Sequence, residues 1–134
     1  MKAFIDACLF IYLNTITEEN IRRIYESLYM DVLLRYKAYT NVLVIDELLY
    51  ISKKKYKIPY KITISFIKKI VEPYVTILPV TEEDLKQAYK ILLKHNLKPS
   101  NAIHIATMKN NNIKIVVTED REYDKIPEIK RIWT

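Results

Sequence analysis

Asp6 is the residue in this sequence that most needs a chemical explanation. It stands between two apolar runs, Ala3–Ile5 and Ala7–Leu13, in the opening stretch MKAFIDACLFIYLN. A buried charge is costly enough that it ends up neutralised, paired or bound to a metal. Capping of the following helix is the simpler alternative. Asp120 poses the same question, because it comes just after the apolar run IKIVV, Ile113–Val117. If both runs are parallel strands, the two acids reach one edge of the sheet, outside the carboxyl ends, where such sheets bind ligands. Carboxylates crowded there suit a hard divalent cation. Asp120 could also serve only to cap the turn that follows it.

Composition narrows the chemistry further. The 134 residues contain no glycine, so neither a Walker A loop nor a dinucleotide-binding fingerprint can be built. Phosphate would have to be met by metal ions, basic side chains or helix N-termini. Lys and Arg total 22 against 16 acids, a net charge of +6 that suits a polyanion and also serves solubility. Cys8 is the only cysteine, which excludes an internal disulfide and a cysteine-based zinc site and makes a cytoplasmic home the default. No apolar stretch approaches the ~20 residues of a bilayer span, so no membrane role is expected. The length and the 50% hydrophobic content indicate a single globular domain, residues 1–134.

The elements that must position these acids alternate along the chain. A strand over Ala3–Ile5 leads into a helix from Ala7. Thr17 to Lys37 reads as a second helix with Ile21, Ile24, Tyr25, Leu28 and Val32 as its apolar stripe. A third runs from Thr40 or Asn41 to about Lys54, followed by a helix over Tyr60–Ile70 and a short strand in Tyr74–Pro79. Thr81 and Asp84 form an imperfect capping box for the next helix, which Asn96 stops. Pro99 and Ser100 open a buried helix over Asn101–Lys109. Ile113–Val117 is the clearest central strand, and a helical turn over Glu122–Lys125 and an edge strand over Ile129–Trp133 close the chain. Without glycine, helix stops that need a left-handed residue fall to asparagine, with Asn96 and Asn110–Asn112 in place. Strands separated by helices predict an α/β/α sandwich around a mainly parallel sheet.

Four segments in order resemble the PIN-domain nucleases. FIDACLFIYLN is similar to their opening D-x-N-x-L-I-Y, and VIDELLY to the segment carrying their helix-borne Glu. KPSNAIHIAT is similar to the segment with Asp before A-[IL]-H-[IL]-A, and VVTEDREYDKI to the closing S/T-x-D-x-D-F-D. The resemblance covers the whole chain and implies a three-layer, PIN-like α/β/α fold. In size and charge the chain is similar to VapC-type toxins, the ribonuclease half of toxin–antitoxin pairs. The resemblance implies a metal-dependent endoribonuclease using Mg²⁺ or Mn²⁺, with RNA as substrate, a cognate antitoxin as partner and a homodimer as the assembly. It places Asp6, Glu47 and Asp120 on three of the four acidic metal positions and Asn101 on the fourth. Thr118 matches a neighbouring hydroxyl position and Glu122 a supplementary acid.

The chain departs from the family pattern at two places. Asn101 stands where Asp is usual and offers a carbonyl oxygen without a charge, as a weak neutral ligand. Cys8 replaces a common Asn beside Asp6, and by itself reads as a small buried hydrophobe. Taken alone, Glu47 reads as a surface carboxylate and Asn101 as a helix-start residue. His104, one helical turn beyond Asn101, reads as a packed core histidine in preference to a metal ligand. The alternative function is a catalytically weakened or silent PIN-like module that binds RNA or protein. Tyr25, Leu28 and Tyr29 could serve a contact surface or the core.

Overall fold

The opening run KAFI builds the middle of the sheet because nothing in it is polar beyond Lys2. In the computed structural model, which describes residues 1–134, β1 (Lys2–Ile5) buries Ala3, Phe4 and Ile5 completely. It pairs in parallel with β2 (Lys37–Asn41) on one side and β4 (Ile115–Val117) on the other. β3 (Thr76–Leu78) and β5 (Lys130–Ile132) complete a five-stranded, all-parallel sheet of order β3-β2-β1-β4-β5.

The order changes direction beside β1. From β1 the chain steps to β2 and then to β3, through α1 (Ala7–Thr15), α2 (Glu19–Arg35), α3 (Val42–Tyr56) and α4 (Tyr60–Phe66). A π-helical turn, Ile67–Val71, extends α4. The chain then crosses back through α5 (Glu82–Lys94) and α6 (Pro99–Asn110) to β4. Right-handed crossovers therefore put α1–α4 on one face and α5–α6 on the other, giving three layers. The reversal lies between β1 and β4, the place where sheets of this kind open a ligand crevice.

β2 differs from the sequence expectation. The second helix ends at Arg35, not Lys37, and KAYTN is a strand where helix was expected to run on to helix. Ala38, Tyr39, Thr40 and Asn41 are all buried, so the alternation that marks a half-buried strand is missing. The polar pair survives burial because each side chain is used: Thr40 Oγ1 donates to the Ile5 carbonyl at 2.9 Å, and Asn41 Oδ1 caps α3 by accepting from Val44 N at 2.9 Å.

Helix ends also correct the expectation about asparagine. Lys57 ends α3 in the left-handed region, with φ 60°, and Asn112 is the other such residue, with φ 61°. Asn96 is not one; α5 closes on His95 in extended backbone. Glu18, not Thr17, caps α2, accepting from Asn20 N and Ile21 N. The box at Thr81 and Asp84 is complete, with both reciprocal bonds at 3.1 Å. α6 starts at Pro99, so Asn101 lies inside its first turn and does not cap it. Tyr29 belongs to the core, while Tyr25 and Leu28 pack against its margin. No helix is long and apolar enough to cross a membrane.

Candidate metal centre

β1 ends where Asp6 begins, and Asp6 N still donates to Val117 O of β4 at 3.1 Å. That bond places the side chain at the carboxyl edge of the two central strands. Asp6 is 7% exposed. Its Oδ1 accepts from Ala7 N at 2.8 Å, so it does cap α1, and its Oδ2 accepts from Thr118 Oγ1 at 2.9 Å. Burial pushes its carboxyl above the ordinary value of 3.8, and Glu47 adds to the rise; His104, the Ala7 N–H and Thr118 pull against it. Asp6 is thus a carboxylate held at the sheet edge at an electrostatic cost, as a ligand for a cation would be.

Glu47 comes from the middle of α3. Val44, Leu48 and Ser52 form the buried face of that helix at four-residue spacing. Glu47 borders this face, and its side chain is 27% exposed. It reaches the same cleft as Asp6, and candidate ligand atoms of Asp6, Glu47 and His104 lie within 4.8 Å of one another. His104 is the residue that sequence reasoning set aside. It is fully buried as expected, yet its Nε2 lies 2.7 Å from Glu47 Oε1 and 3.8 Å from Asp6 Oδ1. The available signal was its position one turn after Asn101 on the same helix.

Asp120 joins through a hydroxyl. Thr118 Oγ1 accepts from Asp120 N at 3.1 Å while donating to Asp6, so one side chain ties both acids together. Asp120 Oδ1 accepts from Glu122 N at 2.9 Å, and Oδ2 from Asn101 Nδ2 at 3.0 Å and Lys98 Nζ at 3.3 Å. Burial raises its pKa, but the Glu122 N–H, the Asn101 amide and Lys98 outweigh that and hold the carboxyl below the ordinary value. Lys98, paired with Asp120, is in turn held protonated more firmly.

Asn101 is placed as a clamp. Its Nδ2 donates to Asp120 Oδ2 at 3.0 Å and to Glu122 Oε1 at 2.8 Å, while its Oδ1 accepts from the Tyr123 hydroxyl at 3.1 Å. Two carboxylates can only accept, so they fix the amide nitrogen on their side. Glu122 Oε1 also accepts from Lys98 N at 2.8 Å, supplying the cap that the start of α6 lacks from its own side chains. Asp6, Glu47, Asn101, Thr118 and Asp120 line one cleft of about 360 Å³, with Lys98 at its mouth and Cys8 in its wall. Glu122 stands behind Asn101.

Cys8 is only partly buried, in the wall of the cleft. Its Sγ lies 3.5 Å from Thr118 Oγ1, whose proton is already given to Asp6, so the thiol is the donor. Burial, with the nearby Asp6 charge, pushes the thiol up to about 11. Iodoacetamide at pH 7.5 should therefore modify Cys8 at least about tenfold more slowly than a free thiol of ordinary pKa near 8.5. Mass spectrometry of the alkylated chain checks this.

A PIN domain family model matches residues 3–129. The chain belongs to the PIN domain family. A search of curated protein sequences returns no match. Among solved structures, this PIN domain is similar to Mycobacterium tuberculosis VapC20, described as a sarcin–ricin loop cleaving toxin. The two are 14% identical with a TM-score of 0.74, over 92% of this chain and 93% of that one. It is also similar to VapBC2 from Rickettsia felis bound to a promoter DNA fragment, at 12% identity and TM-score 0.74 over 99% and 98% of the chains. A toxin–antitoxin complex from Klebsiella pneumoniae gives 16% identity and TM-score 0.71 over 96% and 95%. At these identities the likeness concerns the fold.

Proposed function

We propose that this PIN domain is a metal-dependent endoribonuclease and the toxin of a toxin–antitoxin pair. The observation that carries this reading is the convergence of Asp6 and Glu47 in one cleft with Asp120, although they come from distant parts of the chain. Oxygen-rich donor sets of this kind fit Mg²⁺ or Mn²⁺. Asp6, Glu47 and Asp120 would hold the ion, with Asn101 bracing Asp120 from behind. Such an ion supplies a water of lowered pKa and positive charge for the scissile phosphate. Thr118 orients Asp6 and braces Asp120 through its backbone N–H. Lys98, with a side chain 67% exposed at the mouth, presents an ammonium to the incoming phosphate backbone. The net charge of +6 is in keeping with a polyanionic substrate such as RNA.

Partner binding has a separate location in this reading. α2 and α4 border an apolar cleft of about 610 Å³ lined by Leu13, Tyr29, Met30, Leu33, Leu34 and Phe66. Met30 and Leu34 are strongly exposed there. An apolar segment of an antitoxin would fill it, in keeping with the toxin–antitoxin complexes among the structural relatives.

One observation favours the silent binding module instead: the Asn101 amide removes a negative charge and already satisfies Asp120. RNA cleavage with and without divalent metal separates the two. The nuclease should cut RNA in Mg²⁺ or Mn²⁺ and stop in EDTA, and calorimetry should show Mn²⁺ binding. RNA binding with no Mn²⁺ heat and no cleavage would leave the silent module.

A further inference from the structure

His104 and Asn41 form a buried pair whose chemistry the ligand set above leaves unused. Asn41 ends β2 and caps α3. Its Oδ1 accepts from a backbone N–H, that of Val44, so the orientation of its amide is not free. The NH₂ group must then face the other way. It donates to His104 Nδ1 at 3.1 Å and to Thr107 Oγ1 at 3.0 Å. Thr107 leans on Asp84, whose Oδ2 is 3.3 Å away, and Asp84 is fixed by the α5 capping box and by Asn110 Nδ2 at 2.7 Å. The amide is therefore held at all three of its hydrogen-bonding atoms.

A donor aimed at Nδ1 requires a lone pair on Nδ1. The ring proton of a neutral imidazole then sits on Nε2. Nε2 is the atom beside Glu47 and Asp6. A protonated nitrogen has no lone pair for a metal. It has a hydrogen for a carboxylate.

We propose that Asn41 and His104 are a positioning pair: Asn41 fixes the imidazole with its proton on Nε2, and that N–H holds the Glu47 carboxylate beside Asp6. His104 is then a neighbour of the metal centre and not one of its ligands, and the centre consists of oxygen donors alone. This explains a fully buried imidazole at the floor of an acidic cleft. It would also bias the centre toward hard ions, because a bare Nε2 among the same carboxylates would favour zinc or another nitrogen-seeking metal. The inference rests on the metal-dependent reading above for its consequence, but the proton position is measurable without metal or RNA.

Long-range ¹H–¹⁵N spectra of the full chain labelled at histidine test it directly. The chain has two histidines, and a His95→Gln sample assigns them. In metal-free buffer at pH 7.5, His104 should show a bare Nδ1 and a protonated Nε2, unchanged when Mg²⁺ is added. Asn41→Asp keeps an oxygen for Val44 N but offers Nδ1 an acceptor, so Nδ1 should become protonated. A proton on Nδ1 in the native chain, or loss of the Nε2 proton on adding Mg²⁺, overturns the proposal.

Mn²⁺ titration of substituted chains supplies the second measurement. His104→Gln retains an N–H at the place of Nε2 and should keep Mn²⁺ affinity within about threefold. His104→Leu should lose about 10- to 100-fold, the usual cost of losing a group that orients a ligand. Equal losses in both variants, with both folded by circular dichroism, would make His104 a ligand and overturn the proposal. A native chain that binds no Mn²⁺ sinks the nuclease reading, while the metal-free spectrum still decides the proton.

Discussion

Asp6→Asn should abolish RNA cleavage and, in the same protein, raise the melting temperature of the metal-free fold. The loss of activity should exceed about 100-fold, since removing a group that merely orients a ligand already costs about 10- to 100-fold. The gain in stability follows from the burial of Asp6. Its carboxyl is pushed above 3.8 in the folded chain, so folding favours its protonated form. That contribution is complete below the unfolded value and is lost as pH rises through the folded one. At pH 7 in EDTA the native chain bears the cost of that buried carboxyl, and Asn at position 6 removes it. The difference in melting temperature should shrink toward pH 4. In Mn²⁺ the order should reverse, because only the native side chain gains from the ion. Thermal melts of both proteins in EDTA and in Mn²⁺ decide this; a variant that melts lower than the native chain in EDTA at pH 7 would rule the account out.

Asn101→Asp carries the second large effect, and its sign depends on metal. The Asn101 amide nitrogen sits 3.0 Å from Asp120 Oδ2 and 2.8 Å from Glu122 Oε1. A carboxylate there would place a negative oxygen where two others already are, and it would lose both hydrogen bonds. The metal-free variant should be destabilised by about 2–4 kcal/mol, the scale of a partly buried charge-assisted pair turned repulsive. A divalent ion relieves that repulsion. Mn²⁺ affinity should therefore rise about tenfold or more, and the melting-temperature gain on adding Mn²⁺ should exceed that of the native chain. Cleavage should rise with metal occupancy. If metal affinity and activity both stay unchanged, position 101 does not act on the site.

The three-layer architecture was legible because it rests on segments long or apolar enough to declare themselves. Ala3–Ile5, IKIVV and the amphipathic α5 need no tertiary information. β2 was hidden because its burial comes from neighbours on both sides, and its two buried polar residues are satisfied by partners outside the strand, Thr40 by Ile5 on β1 and Asn41 by the start of α3 and by His104 on α6. The left-handed end of α3 at Lys57 was equally invisible, since lysine has no local preference for it. At the cleft, strand-end acids such as Asp6 and Asp120 announce themselves by their flanks. Glu47 needed the family resemblance, because one carboxylate on a helix looks like any other. His104 is a core histidine, and its spacing from Asn101 marks only its nearness to the cleft: its role depends on which nitrogen faces α3, which the Asn41 cap determines.

The hydroxyl bond between Asp6 and Thr118 joins residues 112 positions apart. β4, which brings Thr118 and Asp120, slots in beside β1 only after all of α1–α6 has been made. Until β4 has been made, Asp6 at the end of β1 has neither Thr118 nor Asp120 beside it. The acidic cleft is therefore among the last parts of this domain to be assembled, because its completion waits for β4.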